Sequence, residues 1–259
     1  MSAVLADIPP HGRESPRLTS LRAAVAEDLL ALAVLHDREL DRELIHALWR
    51  DCYEDFLGLR LHGERAAQAL GLLREGLTEI PTELCQATLD RLAADYADIY
   101  LTYGLRASPC ESVWLDDDSL ILQEPTFQVR AWYRRYGLAV TDWRIRSDDH
   151  LVYELRFLAH LLEGEGEPVD LGEVARFMDE HPLRWVSQFA ERVAARCETQ
   201  FYAGLALLTA AYLDELRELV AELTGIPRPT AEKLADSTAP APGPLEVEGP
   251  YLPGVAPSW

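Results

Sequence analysis

Residues 147–154, SDDHLVYE, place Ser147, Asp148, Asp149 and His150 side by side, with Glu154 one helical turn beyond the histidine. On a helix, His150 and Glu154 share a face, a spacing that can put two donors on one metal ion or pair an acid with a base. A metal-dependent hydrolase using Asp148, Asp149, His150 and Glu154 is therefore one reading of the stretch. Carboxylate-bridged sites in helical bundles draw Glu-x-x-His pairs from more than one helix, and the chain has no such pair. His160 falls nearly three turns later, roughly 15 Å along the helix, and His11, His36, His46, His62 and His181 have no matching carboxylate motif. One motif supplies at most two or three ligands, so no metal site is expected.

The competing reading is a helix start. Ser147 is a good N-cap residue, and Asp148 and Asp149 in a first turn would complement the helix dipole. That explains the aspartates but not His150, which as a cation would be disfavoured at the same end. A neutral His150 hydrogen-bonded to a neighbouring loop is expected. No GxSxG elbow, paired Cys/His signature or glycine-rich phosphate loop occurs, so no catalytic residue is assigned.

The elements that must carry this stretch read as helices. Leu21, Val25, Leu29 and Leu32 form one stripe, Leu44, Leu48, Cys52 and Phe56 a second, and Leu151, Leu155, Leu158 and Leu162 a third. A helix from Pro81–Thr82 closing at Gly104, one from Pro125 to Gly137, a pair meeting at His181–Pro182 and a long one over 198–224 stopping at Gly225 complete the pattern. No run alternates long enough for a convincing strand. The expectation is an all-α bundle of eight or nine helices over 18–225, with an N-terminal arm (1–17) and a tail (226–259) that holds eight of the 16 prolines and reads as extended or disordered. Between two strong helices lies an irregular connection, 104–123, containing Pro109, Cys110, Glu111, Trp114 and the triplet Asp116–Asp118. A long non-helical connection in a helical domain is more often functional than filler.

Composition narrows the partners. The 259-residue chain carries 24 Lys+Arg against 44 Asp+Glu, a formal charge of −20. Such acidity repels nucleic acid and anionic lipid and attracts a basic peptide over a Debye length of about 8–10 Å. The four cysteines, Cys52, Cys85, Cys110 and Cys197, are scattered, with no CxxC pair, as expected in a reducing compartment. The N-terminus lacks a basic region followed by an apolar run, and the longest nearly apolar stretch, 201–213, has 13 residues. A cytoplasmic protein without membrane insertion is expected. Tyr96, Tyr100 and Tyr103 make one stripe running into the irregular connection; it is either core or one wall of a groove for a peptide with apolar and basic residues.

In order along the chain, YLTY (100–103), ASPCESVWL (107–115), RAWYRRYGL (130–138), SDDHLVYELRFLAHLL (147–162), FMDEHPLRWVSQFAERV (177–193) and FYAGLALLTAAYL (201–213) resemble the TorD/DmsD family of molybdoenzyme chaperones. The resemblance spans about 95–216, roughly half the chain. Tyr100, Tyr103, Gly104, Pro109 and Glu111 fall on the family's first loop motif, and Asp149 and His150 on the end of its Glu-Pro-x-Asp-His motif. Arg146–Ser147 stand where the family has Glu-Pro, and Cys110 where an aromatic is common. The resemblance implies an all-helical fold and no catalytic turnover; no cofactor is assigned. The implied partner is the apo form of a molybdoenzyme catalytic subunit, held by its N-terminal twin-arginine signal segment until its cofactor is inserted. Tyr100, Tyr103, Pro109, Glu111, Trp114, Asp148, Asp149 and His150 are then the expected peptide-binding residues. A chaperone for a non-exported reductase is the neighbouring alternative, and a homodimer, nucleotide binding and direct cofactor binding are left open.

Overall fold

The computed structural model describes residues 15–50, 57–116, 118–141, 143–164 and 169–230; Cys52 and Phe56 of the second stripe, Asp117, and most of the arm and tail lie outside them. Helix α1, Pro16–Asp37, starts as its sequence dictates: Ser15 accepts from the Leu18 N–H at 3.3 Å and Pro16 occupies the first helical position. There follow α2 (Arg42–Arg50), α3 (Glu64–Glu79), α4 (Gln86–Tyr96), a single turn α5 (Ser112–Leu115), α6 (Glu124–Arg135), α7 (Leu151–Glu163), α8 (Leu171–Glu180), α9 (Val186–Ala194) and α10 (Gln200–Thr224). Nine of these run nine residues or more, and no strand occurs among the described residues, so the protein is an all-α bundle as its periodicity predicts.

The last helix is the axis of the fold. α10 packs against α1, α3, α8 and α9, and Phe201, Leu205, Leu208, Tyr212 and Leu213 on it are almost wholly buried. Its crossing with α3 is made possible by two glycines. A Cβ on Gly204 would sit 2.4 Å from the Leu73 nitrogen, and one on Gly76 would sit 2.3 Å from the Phe201 nitrogen. No side chain fits at either position, so the two backbones touch directly. α1 lies along α7 and supplies Val25, Leu29 and Leu32 to the shared core.

Buried polar groups fasten the ends. Asp95 on α4 accepts from the Glu198 and Thr199 N–H groups and from the Thr199 hydroxyl at 2.6–3.0 Å, securing the entry to α10. Arg217, fully buried on α10, meets Asp179 of α8 through two hydrogen bonds of 2.8 and 2.9 Å. α10 stops at Gly225 (φ 73°) and α7 at Gly164 (φ 54°), each in the left-handed conformation that ends helices.

Three boundaries differ from the sequence reading. α4 begins at Gln86 after Cys85, because Ile80 and Leu84 are drawn into the core and Arg42 ties down the Leu84 carbonyl at 3.0 Å. At its other end α4 loosens into a π-helical turn, Ala97–Leu101, before Gly104 is reached. α7 begins at Leu151, with His150 and not Ser147 as its N-cap.

Candidate functional site

The irregular connection and the SDDH stretch meet. Their backbones form an isolated antiparallel bridge between Cys110 and His150, in which the Leu151 N–H donates to the Pro109 carbonyl at 2.8 Å and the Glu111 N–H to the Asp149 carbonyl at 3.0 Å. The junction fixes segment 107–112 on the N-terminus of α7.

Each side chain of the stretch then turns to a different element. His150 caps α7 by accepting the Val152 N–H on Nδ1 at 3.2 Å, which requires a neutral ring. Burial, reinforced by the Arg146 charge, pushes its pKa well below the ordinary histidine range. Asp149 accepts the Ser112 N–H at 2.8 Å, and with it the start of α5, and also takes the Ser147 hydroxyl. Asp148 meets the Arg130 guanidinium of α6 in a fork of 2.8 and 3.1 Å, while its carbonyl accepts from the Tyr133 hydroxyl at 3.1 Å. The aspartates are thus not first-turn residues of α7; they precede it and hold α5 and α6. The neutral state expected for His150 agrees with this geometry, although its acceptor nitrogen serves its own helix and only its backbone joins the neighbouring loop.

These directions diverge, which answers the metal reading: among the described residues no group of three or more His, Cys, Asp or Glu could hold a metal ion. Glu154 is engaged elsewhere, accepting the Trp185 indole N–H at 3.2 Å.

Around the junction the other expected residues divide into buried and accessible sets. Tyr100, in the π-helical turn, is interior. Its hydroxyl lies 2.5 Å from Nδ1 of His36, whose Nε2 lies 2.8 Å from Thr209 Oγ1, and that hydroxyl donates to the Leu205 carbonyl at 2.9 Å. Since the Thr209 proton is used, His36 Nε2 must donate and Nδ1 must accept from Tyr100, a chain of neutral groups. Burial holds His36 at a pKa of about 3. Pro109, Glu111, Asp148, Asp149 and His150 are also buried. Glu111 faces Nδ1 of His181 at 2.9 Å, a partner 70 residues away that no local pattern announces. Its carboxyl, like Asp148 and Asp149, is committed to the interior and is not free to meet a peptide arginine in this conformation.

Two expected residues reach the surface. Tyr103 is 39% exposed with φ 54°, and Trp114 is half-buried, its indole donating to the Ser108 carbonyl at 2.8 Å while the Arg192 guanidinium lies 4.3 Å from its ring centroid. Arg192 of α9 and Arg196 just beyond it also donate to the carbonyls of Arg106 and Leu105, at 3.0 and 2.6 Å. Asp118 is exposed, and its N–H donates to Asp116 in a local turn at 3.0 Å.

The sequence reading overlooked the most accessible apolar residues: Leu101, Leu120, Ile121, Leu122, Phe127, Leu138, Trp143 and Ile145 are all exposed. Single apolar residues in short polar segments carry no periodicity, but the strings LIL (120–122) and WRI (143–145) were a signal. The same connection concentrates backbone strain. Among the described residues the non-glycine positions with positive φ are Tyr103, Arg106, Ser119 and Leu122, all within one 20-residue span.

Residues 63–191, which contain the bridged junction and the connection, match the family model described as nitrate reductase delta subunit. A chaperone protein TorD of Vibrio vulnificus (strain YJ016) is 31% identical over 129 residues, covering 47% of this chain and 60% of that protein. The chain belongs to the TorD/DmsD family of chaperones. It is likewise similar to a TorD of Shewanella loihica, at 27% identity over 69% of this chain and 84% of the relative. A probable Tat proofreading chaperone DmsD of Haemophilus influenzae is 26% identical over 62% of this chain and 70% of the relative. In this chain the bridged junction and the strained connection bring buried polar groups next to accessible apolar ones. No described helix is long and apolar enough to cross a membrane.

Proposed function

We propose that the protein is a cytoplasmic, system-specific chaperone that binds the N-terminal twin-arginine signal segment of a molybdenum-cofactor oxidoreductase subunit, assisting cofactor insertion and delaying export, without catalytic turnover. The observation that carries this reading is the pairing of an exposed, apolar, strained connection with a rigid buried junction beneath it. A signal segment has a basic region followed by an apolar one. Leu101, Tyr103, Trp114 and Leu120–Leu122 offer apolar surface for the second part. The exposed carboxylates Asp98 and Asp118, neighbours of these residues in sequence, and the charge of −20 favour the first. Tyr100, Pro109, Glu111, Asp148, Asp149 and His150 act from below, by holding the segment that presents Tyr103 and Trp114. Preorganisation of this kind lowers the ordering cost that a bound peptide must offset.

Calorimetric titration with a twin-arginine signal peptide of a molybdoenzyme encoded near this protein's gene tests the reading. Saturable binding that weakens with added salt is expected; absence of binding to any such peptide at low salt contradicts it. A client whose N-terminus lacks paired arginines and an apolar stretch, bound in preference, would favour a chaperone for a non-exported reductase.

A further inference from the structure

A paired-arginine segment needs groups that accept a guanidinium, and the carboxylates of the junction are spent in the interior. Glu111 faces His181, Asp148 holds Arg130, and Asp149 holds the Ser112 N–H. At the surface of the connection two guanidiniums are already seated, and both come from the chain itself. Arg192 donates to the Arg106 carbonyl at 3.0 Å, and its planar head lies 4.3 Å from the Trp114 ring centroid. Arg196, four residues on, donates to the Leu105 carbonyl at 2.6 Å. Both arginines are exposed. The two walls around Arg192 are held by bonds that do not involve it. The Arg106 N–H donates to the Tyr103 carbonyl at 2.8 Å, closing a turn in which both residues have positive φ. The Trp114 indole donates to the Ser108 carbonyl at 2.8 Å. An aromatic face beside a carbonyl suits a flat guanidinium, which stacks and donates at once; an ammonium has no face to lay on the ring.

We infer that the space between the Trp114 ring and the Arg106 carbonyl is a guanidinium site, which Arg192 fills in the free protein and one arginine of a bound client segment fills in its place. This rests on the signal-segment reading and names where the basic part of that segment is received. The limb carries Arg106 and takes up Arg192 and Arg196, against the exposed Asp98, whose carbonyl accepts the Leu105 N–H at 3.4 Å. A further cation added beside these three meets like charge; one that replaces Arg192 does not add to it. The site therefore works by exchange. Arg192 is held there by one exposed hydrogen bond and one ring face, so it can leave, and the connection keeps its own turn when it does. Arg192 thus sets how strong a client's cation must be: an arginine recovers both displaced contacts, a lysine does not.

Calorimetric titration of the full chain with a twin-arginine signal peptide, and with the same peptide carrying lysines at the paired arginines, tests the exchange. Arg192→Ala removes the internal competitor and should bind the arginine peptide about fivefold more tightly than the wild type. That factor corresponds to about 1 kcal/mol, the scale of one exposed hydrogen bond with one exposed cation–π contact. Arg192→Lys keeps the charge but competes poorly for a flat site, so it should still gain roughly twofold. The lysine peptide should gain little from either change. A wild-type protein that binds no such peptide removes the chaperone reading and this site with it. If the wild type binds and neither variant binds more tightly, the site alone is overturned. An equal gain for the lysine peptide would assign the effect to charge and overturn the site as well. Should Arg192→Ala fail to fold, Arg192→Lys with the two peptides decides by the same outcomes.

Discussion

The junction at Cys110–His150 and the parts of the connection that flank it, 101–106 and 118–122, adjoin in sequence and differ in burial and backbone strain. At the junction Glu111, Asp148, Asp149 and His150 are buried, and each has a partner on another element or at a helix start. Along the connection Leu101, Tyr103 and Leu120–Leu122 are exposed, and four residues sit in the left-handed region where side chains are disfavoured. Residues that resemble a family's binding motif therefore need not touch the ligand. Here most of them are buried in the support, and under the proposed function the contact surface falls to neighbours whose sequence is less distinctive.

This division predicts separable effects. The largest belongs to the junction: Asp149→Ala leaves the Ser112 N–H buried without an acceptor and should cost about 3 kcal/mol. Thermal unfolding should show a fall in Tm of roughly 6–12 °C. A variant as stable as the wild type would mean that the junction does not carry the connection.

Acid should act next. His36 and His181 have folded pKa values of about 3 against 6.5 unfolded, so the unfolded chain takes up protons that the folded one refuses. Their contribution is present above pH 6.5 and lost as pH falls below it, about 2 kcal/mol each by pH 5. His150, likewise held well below the histidine range by burial, adds to the loss. Urea titrations at pH 8 and 5 should show stability falling with pH, and NMR of the imidazole rings should find His36, His150 and His181 neutral throughout.

Changes on the connection should leave stability nearly intact. Ile121→Ser, at a site 46% exposed, should alter the unfolding free energy by no more than about 0.5 kcal/mol. It should still weaken peptide binding roughly tenfold, the loss of one buried aliphatic contact of about 1.4 kcal/mol. The smallest effect is a gain: Ser119→Gly relieves a φ of 52° and should stabilise by about 0.5–1 kcal/mol in denaturant titrations.

The sequence made the helices legible because their signals are local. The leucine stripes of α1 and α7 have the helical period, and Ser15, Gly164 and Gly225 mark ends that the structure keeps. At the site, local logic stopped short. Ser147 looked like the N-cap of α7 because Asp148 and Asp149 suit a first turn. In the fold those carboxylates answer Arg130 and the Ser112 N–H, 18 and 37 residues away, and the helix starts three residues later than expected. The pairing of Glu111 with His181 depends wholly on how the connection and the end of α8 come together. The left-handed backbone at Tyr103 and Leu122, residues that normally avoid it, is imposed by tertiary structure and leaves no composition signature.

Hydrogen exchange with and without a twin-arginine signal peptide tests the central claim most directly. The account predicts that peptide slows exchange of amides in 101–106 and 118–122, while those of 111, 112 and 149–155, already bonded in the junction and α7, change little. Saturating peptide that leaves 101–122 unchanged and instead protects the α3–α10 face would contradict it.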